Sequence, residues 1–428
     1  MSTSLGDQAI VGNLLATQLG AEGAHVKIAY IDSFVPPIVI GVDNLQDTCD
    51  IGNTTTTDVI LSAGDLTVST GELIMSNKIN LKCLGNNGIT IGRQNAVQTL
   101  QGQNTVAIGT NAGTTSQGIN SIAIGFQTAQ VTQGTNSLAI GNLAANSLQG
   151  EDSVAIGKQA GQTSQGTDCI AIGDLAGNSS QGQDSLAIGR QAGQLNQGAD
   201  SVAIGDLAGM TTQGLDCLAI GRQAGSTRQG NNSVAIGNQA GEVEQGADSV
   251  AIGDLCCRFS QGIDSVAIGK SAGNSSQGDF SVAIGEEAGK STQGDHCVAI
   301  GEKSGSLQQG NDGIAIGDNA GYQTQGGCAV AIGKTAGNFS QGADAIAIGE
   351  EAGFTGQGAD CVAIGRNSGR LNQPANTICL NATGLALNPL VASGFVVKPI
   401  RGLTNPAGAG IVGSLWYDTG SGEVCYEP

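Results

Sequence analysis

The sequence contains few aromatic residues, few histidines and few charged residues. Phe, Trp and Tyr make up 3% of its 428 residues, charged residues make up 12%, and His25 and His296 are the two histidines. So few aromatic residues argue against globular domains with bulky centres. Two histidines leave almost no material for a histidine metal cluster or a Ser-His-Asp triad. We therefore expect no enzyme, no catalytic residue, no metal site and no cofactor.

Basic charge and long apolar runs are also scarce. The formal net charge of −19 argues against phosphate-rich partners, because like charges repel. The longest apolar stretch, FVPPIVIGV at residues 34–42, is too short to cross a bilayer, and the first twenty residues lack an export-signal pattern. Eleven cysteines without a C-x-x-C pair predict reduced thiols. We expect a soluble protein with no nucleic-acid partner and no membrane insertion.

Glycine is abundant, with 70 residues, and a phrase of sixteen residues recurs without insertion or deletion. Its marker is an isoleucine that follows Ala, precedes Gly and has Val, Ile or Leu two residues before it. The seventeen marker isoleucines are Ile108, Ile124, Ile140, Ile156, Ile172, Ile188, Ile204, Ile220, Ile236, Ile252, Ile268, Ile284, Ile300, Ile316, Ile332, Ile348 and Ile364. A fixed period of this size is typical of solenoids, in which each unit stacks on its neighbours.

The unit predicts two strands and two turns. The segment S-V-A-I-G has β-branched residues closed by glycine, and a second segment runs from A-G to Q-G. We therefore predict an all-β fold: a parallel β-solenoid, or β-roll, of 16-residue coils with small β-rich end regions. Val and Ile lie two residues apart and share one face. We predict that this face forms the core, as in Val202, Ile204, Leu218 and Ile220.

Three columns of recurring side chains accompany this pattern. Glutamine stands nine residues after every marker isoleucine, and stacked amides form hydrogen-bonded ladders, so we predict one through Gln165, Gln181, Gln197 and Gln213. Charges two residues after the isoleucine are opposite in sign in nine of eleven neighbouring charged pairs, as in Asp174, Arg190, Asp206 and Arg222, which favours the register of stacked coils. Asp or Asn stands four residues before the isoleucine in most units. Turn chemistry explains this column best, and a Ca²⁺ site is the alternative.

Four regions follow from these patterns. Residues 1–45 are predicted to be an attachment segment and residues 46–100 a β-rich lead-in. Residues 101–381 form the solenoid of seventeen repeats with a decayed terminal coil, in which Leu380 takes the isoleucine position. Residues 382–428 form a cap in which LWYDTGSGEVCY predicts a hairpin.

The repeated motif N-S-V-A-I-G, as in NNSVAIGNQAG at residues 231–241, resembles the head repeats of YadA-like trimeric autotransporter adhesins. This resemblance implies a left-handed β-roll assembled as a homotrimer. The phrase AIGxxAGxxxQG and the tail segments FVVKPIRG and LWYDTGSGEVCY are similar to repeat proteins of giant DNA viruses. That resemblance implies a structural virion protein, such as a fibre, a spike or a capsid-associated component, made in the host cytoplasm.

The predicted function is a rigid trimeric shaft at a virion surface. Its expected partners are its own copies, other capsid or virion proteins at one end, and a host surface receptor or glycan. The alternative is a bacterial-type cell-surface adhesin head. Binding of ice or mineral would require regular Thr-x-Thr columns, and the Ser and Thr positions are too irregular for that function.

Overall fold

A computed structural model describes residues 88–91 and 100–399, together with the strands Ile38–Val39, Val59–Ile60, Ser414–Tyr417 and Val424–Glu427. Helices are absent from this part of the chain. The chain divides into two units, Met1–Asn80 and Leu81–Pro428. In the first unit, Ile38–Val39 pairs in parallel with Val59–Ile60. The remaining features predicted for residues 1–45, and most of those predicted for residues 46–100, lie outside the described residues.

The second unit contains the predicted parallel β-solenoid, which confirms the fold class. Its coils form two parallel sheets, and most coils contribute one strand to each. We call them the VAI sheet and the Gln sheet. The VAI sheet contains twenty strands: Ile89–Ile91, Val106–Ile108, Ile122–Ile124, Leu138–Ile140, Val154–Ile156, Ile170–Ile172, Leu186–Ile188, Val202–Ile204, Leu218–Ile220, Val234–Ile236, Val250–Ile252, Val266–Ile268, Val282–Ile284, Val298–Ile300, Ile314–Ile316, Val330–Ile332, Ile346–Ile348, Val362–Ile364, Ile378–Asn381 and Phe395–Lys398.

The Gln sheet contains seventeen strands, each ending on the recurring glutamine. They are Leu100–Gln101, Ser116–Gln117, Thr132–Gln133, Ser147–Gln149, Thr163–Gln165, Ser179–Gln181, Leu195–Gln197, Thr211–Gln213, Thr227–Gln229, Val243–Gln245, Ser260–Gln261, Ser276–Gln277, Thr292–Gln293, Gln308–Gln309, Thr324–Gln325, Phe339–Gln341 and Thr355–Gln357. Its strands vary between two and three residues, whereas those of the seventeen repeats in the VAI sheet all have three.

The sixteen-residue spacing is the register of the solenoid. Ile204 pairs with Ile220, and Ala203 pairs with Ala219, each across one coil. Backbone hydrogen bonds join neighbouring coils at the turns as well, for example from the amide of Gly205 to the carbonyl of Ile188, at 2.8 Å. An inserted residue would interrupt this ladder and turn the apolar side chains to the opposite face.

Glycine after the marker isoleucine is required by the turn that follows each VAI strand. Gly205 has a φ of +135°, which side chains with a Cβ rarely adopt. A Cβ built on Gly205 would also overlap the carbonyl oxygen of Gly221 in the next coil. Neighbouring backbones therefore come together at this corner too closely for any other residue.

The predicted core is wrong for the single chain, because the strand faces are reversed. Ala203 is fully buried, whereas Val202, Ile204, Leu218 and Ile220 are all half-buried on the outer surface. The interior is instead filled by Ser, Ala and Gln. Two short strands connected by tight turns leave a narrow space between the sheets, and only small side chains and one glutamine per coil occupy it.

The ends of the solenoid depart from the period by one residue. Ile89 pairs with Val106 and Ile378 pairs with Phe395, each seventeen residues apart. Leu380 pairs with Ile364, as predicted for the decayed coil. The boundary predicted at residue 381 is corrected, because Phe395–Lys398 continues the VAI sheet. Further on, Ser414–Tyr417 and Val424–Glu427 form an antiparallel pair.

Candidate functional site

The outer face of the VAI sheet is the most regular surface of the described chain. Alternation along each strand directs Ala inward and the residues on both sides of it outward. The outward positions hold Val, Ile or Leu and then Ile in all seventeen repeats. The isoleucines remain partly exposed, from half-buried Ile204 to Ile364, which is 41% exposed. We call this surface the Val/Ile face.

The Val/Ile face is continuous along the solenoid. Strands spaced at about 4.8 Å give twenty strands a length of roughly 90 Å. Monomeric soluble proteins rarely expose a contiguous apolar surface of this extent, and such surfaces mark interaction sites. Packing of the interior does not depend on the outward isoleucine, because the Ala and Ser residues that fill the interior are already buried. The Val/Ile face therefore has the properties of a surface that binds another apolar surface.

The glutamine column connects the two sheets. Gln213 lies inside the coil, where its Nε2 donates to the carbonyl of Val202 at 3.0 Å and to Oε1 of Gln229 at 3.2 Å. The equivalent amide bond joins Gln165 to Gln181 at 3.2 Å. The predicted ladder is incomplete, since the Oε1 atoms of Gln197 and Gln213 have no hydrogen-bond partner. Bonding from the amide to the backbone of the opposite strand is the more regular feature.

Serine is the most frequent residue immediately before a VAI strand, and its side chain also faces the interior. The hydroxyl of Ser201 donates to the carbonyl of Gly214 at 2.8 Å and accepts the amide of Cys217 at 3.2 Å. Cysteine replaces serine at four of these positions, and each of the four is buried: Cys169, Cys217, Cys297 and Cys361. Burial raises the pKa of all four thiols above the ordinary value. These thiols therefore remain protonated and are weak nucleophiles.

The structure brings together part of the predicted charge column. Arg190 and Asp206 form an ion pair with an N–O distance of 2.8 Å, and Lys270 and Glu286 form another at 3.0 Å. Within the described chain, no ion pair joins Asp174 to a neighbouring coil, and Arg222 donates instead to Gln223 at 2.9 Å. The hydrogen bond to Glu286 raises the pKa of Lys270. Exposed pairs of this kind contribute little to stability and act mainly on register.

The residues of the Asp and Asn column lie at a corner of each coil, where their own backbone is left-handed. Asp184 has a φ of +54°, and Asp and Asn tolerate this conformation better than most residues. Asn120 donates to Asn136 at 3.0 Å and Asn136 donates to Asp152 at 3.0 Å. No group of three or more metal-ligating side chains with suitable geometry occurs among the described residues. The backbone of the turn accounts for this column.

Two aromatic groups interrupt the polar surface. Phe280 and His296 occupy the Asp corner in successive coils and stack with ring centroids 5.2 Å apart. Near the end of the solenoid, Phe339 contacts Tyr322 and Phe354 edge to face, at 6.5 and 5.5 Å. Such contacts between neighbouring coils support the stack locally.

The orientation of the VAI strand is the feature that sequence reasoning missed. Hydrophobicity assigned Val and Ile to the interior, although another signal was available. Alanine before the marker isoleucine never varies in the seventeen repeats, whereas the position before that alanine alternates among Val, Ile and Leu. A narrow interior requires a side chain of constant size, whereas a surface position tolerates a side chain that is larger or smaller by one methylene.

Fold and surface together define a β-solenoid repeat protein with one long apolar outer face. A family model described as the YadA head domain repeat matches residues 101–128, 133–160 and 218–240. Over these residues, the repeats are similar to those of YadA-type heads. No curated protein and no solved structure matches the chain significantly. In the part of the chain that the structure describes, we find no helix long and apolar enough to span a membrane.

Proposed function

We propose that this chain is a non-enzymatic structural protein of the adhesin-head type, in which three copies associate through the Val/Ile face. The observation that carries the proposal is the unvarying outward isoleucine, which internal packing does not require. The associated shaft would be rigid, because every coil is hydrogen-bonded to two neighbours. Its function would be to hold an attachment surface away from the body to which one end is fixed.

The free energy available from the Val/Ile face supports association. Full burial of one Val or Ile side chain stabilises by about 1.5–3 kcal/mol, and these side chains are already partly covered. Covering the remainder would contribute on the order of 1 kcal/mol per coil. Over twenty strands this exceeds the roughly 4–15 kcal/mol that association costs in lost freedom of motion.

Three copies are proposed because YadA-type head repeats are associated with trimeric adhesins. A trimer places the Val/Ile faces around a common axis and leaves the Gln sheet and the acidic corner on the outside. These outer surfaces vary from coil to coil, as expected of positions that only solvent or a variable ligand contacts. A host receptor or glycan remains the predicted ligand of the assembly.

The location of the shaft is a separate part of the proposal. The virion surface is the location predicted from the sequence, and a cell surface is the alternative that the adhesin-type repeats favour. Immunogold labelling with antibodies against the Gln sheet would distinguish the two. Labelled particles would support the virion location, and labelled cell envelopes would replace it with the adhesin alternative.

Association is tested by light scattering coupled to size exclusion. The full chain is expected to have three times the mass of its 42.5 kDa protomer. Ile204→Asn together with Ile220→Asn should weaken the assembly, because two polar amides would face the apolar surface of the partner. Leu195→Asn is the matched control, since Leu195 is an outward apolar residue of the Gln sheet, 39% exposed. A wild-type protein that stays monomeric at all concentrations contradicts the proposal.

A further inference from the structure

The regularity of the Val/Ile face makes the register of association ambiguous. A copy that slips by one coil, about 4.8 Å, still meets Val, Ile or Leu at nearly every level of the face. With twenty strands in the VAI sheet, such a slip would leave nineteen in contact. Periodic interfaces of this kind need a residue that differs from the repeat to specify one register, as a single polar residue does in coiled coils.

The strand Phe395–Lys398 carries such a residue. Phe395 pairs with Ile378, which pairs with Val362, so Phe395 occupies the outward position held by Val, Ile or Leu in every repeat. It is the single aromatic residue in this column among the described coils. The neighbouring column continues from Ile364 through Leu380 to Val397 and stays aliphatic.

Exposure along the column increases towards Phe395. Ile378 is 41% exposed and Phe395 is 60% exposed, so the largest side chain of the column is also its least covered member. At the opposite end of the described VAI sheet, Ile89 and Ile91 repeat the aliphatic pattern. An in-register assembly places Phe395 of each copy at one level. A slipped assembly sets the ring against Ile378 of the partner or leaves it beyond the end of the contact.

We propose that Phe395 fixes the register in which copies of this chain associate along the Val/Ile face. This inference rests on the proposed self-association and adds to it the residue that selects one alignment. Aromatic rings that meet gain more than their buried area alone provides. Three such contacts would favour the in-register assembly over a one-coil slip on the order of a hundredfold.

The experiment measures distances between copies with a spin label on Cys328, the exposed thiol among the described cysteines. Cys49, Cys83 and Cys425, which lie outside the residues with described side chains, are replaced by serine, and the remaining cysteines are buried. Pulsed electron spin resonance on the trimer should give one narrow label-to-label distance. Phe395→Ala should retain the trimer mass but broaden the distribution into several distances. Phe395→Tyr should restore the narrow distribution.

Leu390→Ala is the matched control, because Leu390 is 91% exposed near the same end but lies outside the VAI strands. This variant should keep the single distance. A narrow, unchanged distribution in Phe395→Ala overturns the inference while leaving self-association intact. A broad distribution in the parent protein overturns it as well. A parent that light scattering shows to be monomeric overturns both proposals.

Discussion

The VAI sheet and the Gln sheet are built from the same coils but differ on their outer surfaces. Each sheet keeps one inward position constant, with Ala in one and Gln in the other. The VAI sheet also keeps an outward position constant, as isoleucine, whereas the outward positions of the Gln sheet vary among apolar, polar and charged residues, as in Leu195, Arg228 and Glu244. Packing inside the chain explains the inward constancy of both sheets. Packing inside the chain does not explain why the outward isoleucine of the VAI sheet is constant as well. This constancy therefore points to a contact outside the chain.

The largest expected effect comes from Gly205→Ala at the end of a VAI strand. The added Cβ would overlap the backbone of the next coil at a φ of +135°. We expect a loss on the order of 3 kcal/mol or more, measured as a lower urea midpoint by circular dichroism. Gly327→Ala is the control, because its Cβ would meet only the Asn311 carbonyl oxygen, at 3.4 Å. Equal effects of the two variants would contradict the close approach at Gly205.

Gln213→Leu tests the inward constancy of the Gln sheet. The substitution removes the amide that bonds the carbonyl of Val202 at 3.0 Å and leaves this carbonyl without that partner. We expect a loss of about 1–3 kcal/mol in the free energy of unfolding. Gln183→Ala, at an exposed position of the turn before a VAI strand, should change it by less than about 0.5 kcal/mol.

Ala203→Val and Val202→Ile compare an inward with an outward position of the same VAI strand. Ala203 is 0% exposed, so two more methyl groups would over-pack the interior at a cost of about 1–3 kcal/mol. Val202→Ile adds one methylene to the neighbouring outward position, where other coils already hold Ile, and should be tolerated. If both variants unfold at the same urea concentration, the assignment of inside and outside is wrong.

The buried thiols predict a dependence of stability on pH. Burial raises the pKa of Cys169, Cys217, Cys297 and Cys361 in the folded state, so the unfolded chain loses these protons first as the pH rises. Their contribution is therefore complete below the unfolded thiol pKa of about 8.5 and decreases above it. The urea midpoint should fall above this pH. The urea midpoint of a variant with serine at all four positions should fall less over the same pH range. An identical fall in both proteins would exclude the thiols as the cause.

The smallest expected effect concerns the outer corner. Asp168, Asp184 and Asp200 follow one another in successive coils, and like charges that stack are unfavourable. Asp184→Asn should stabilise by less than about 1 kcal/mol, since an amide can donate along the column as Asn136 does to Asp152. The gain should shrink in high salt, because screening removes the repulsion. A gain that persists in 1 M salt would point to the hydrogen bond alone.

Much of the fold could be predicted from the sequence because the period is visible in every coil. The pairing of Ile204 with Ile220 and of Leu380 with Ile364 follows directly from that period. The strand Phe395–Lys398 could not be predicted in the same way, because it lies seventeen residues beyond its partner and does not contain the V-A-I motif. The charge column was visible as a pattern, but which of its members meet, such as Arg190 and Asp206, depends on rotamers.

The sequence by itself determined the sixteen-residue coil, its parallel stacking and the turns at which glycine is required, because each of these depends on spacing along the chain. The tertiary structure alone decided which side of the VAI strand is the interior. A strand has two faces that alternate equally, and its own sequence does not state which one another sheet will cover. The narrow gap to the Gln sheet admits Ala and Ser, so Val and Ile remain outside, where another copy of the chain can reach them.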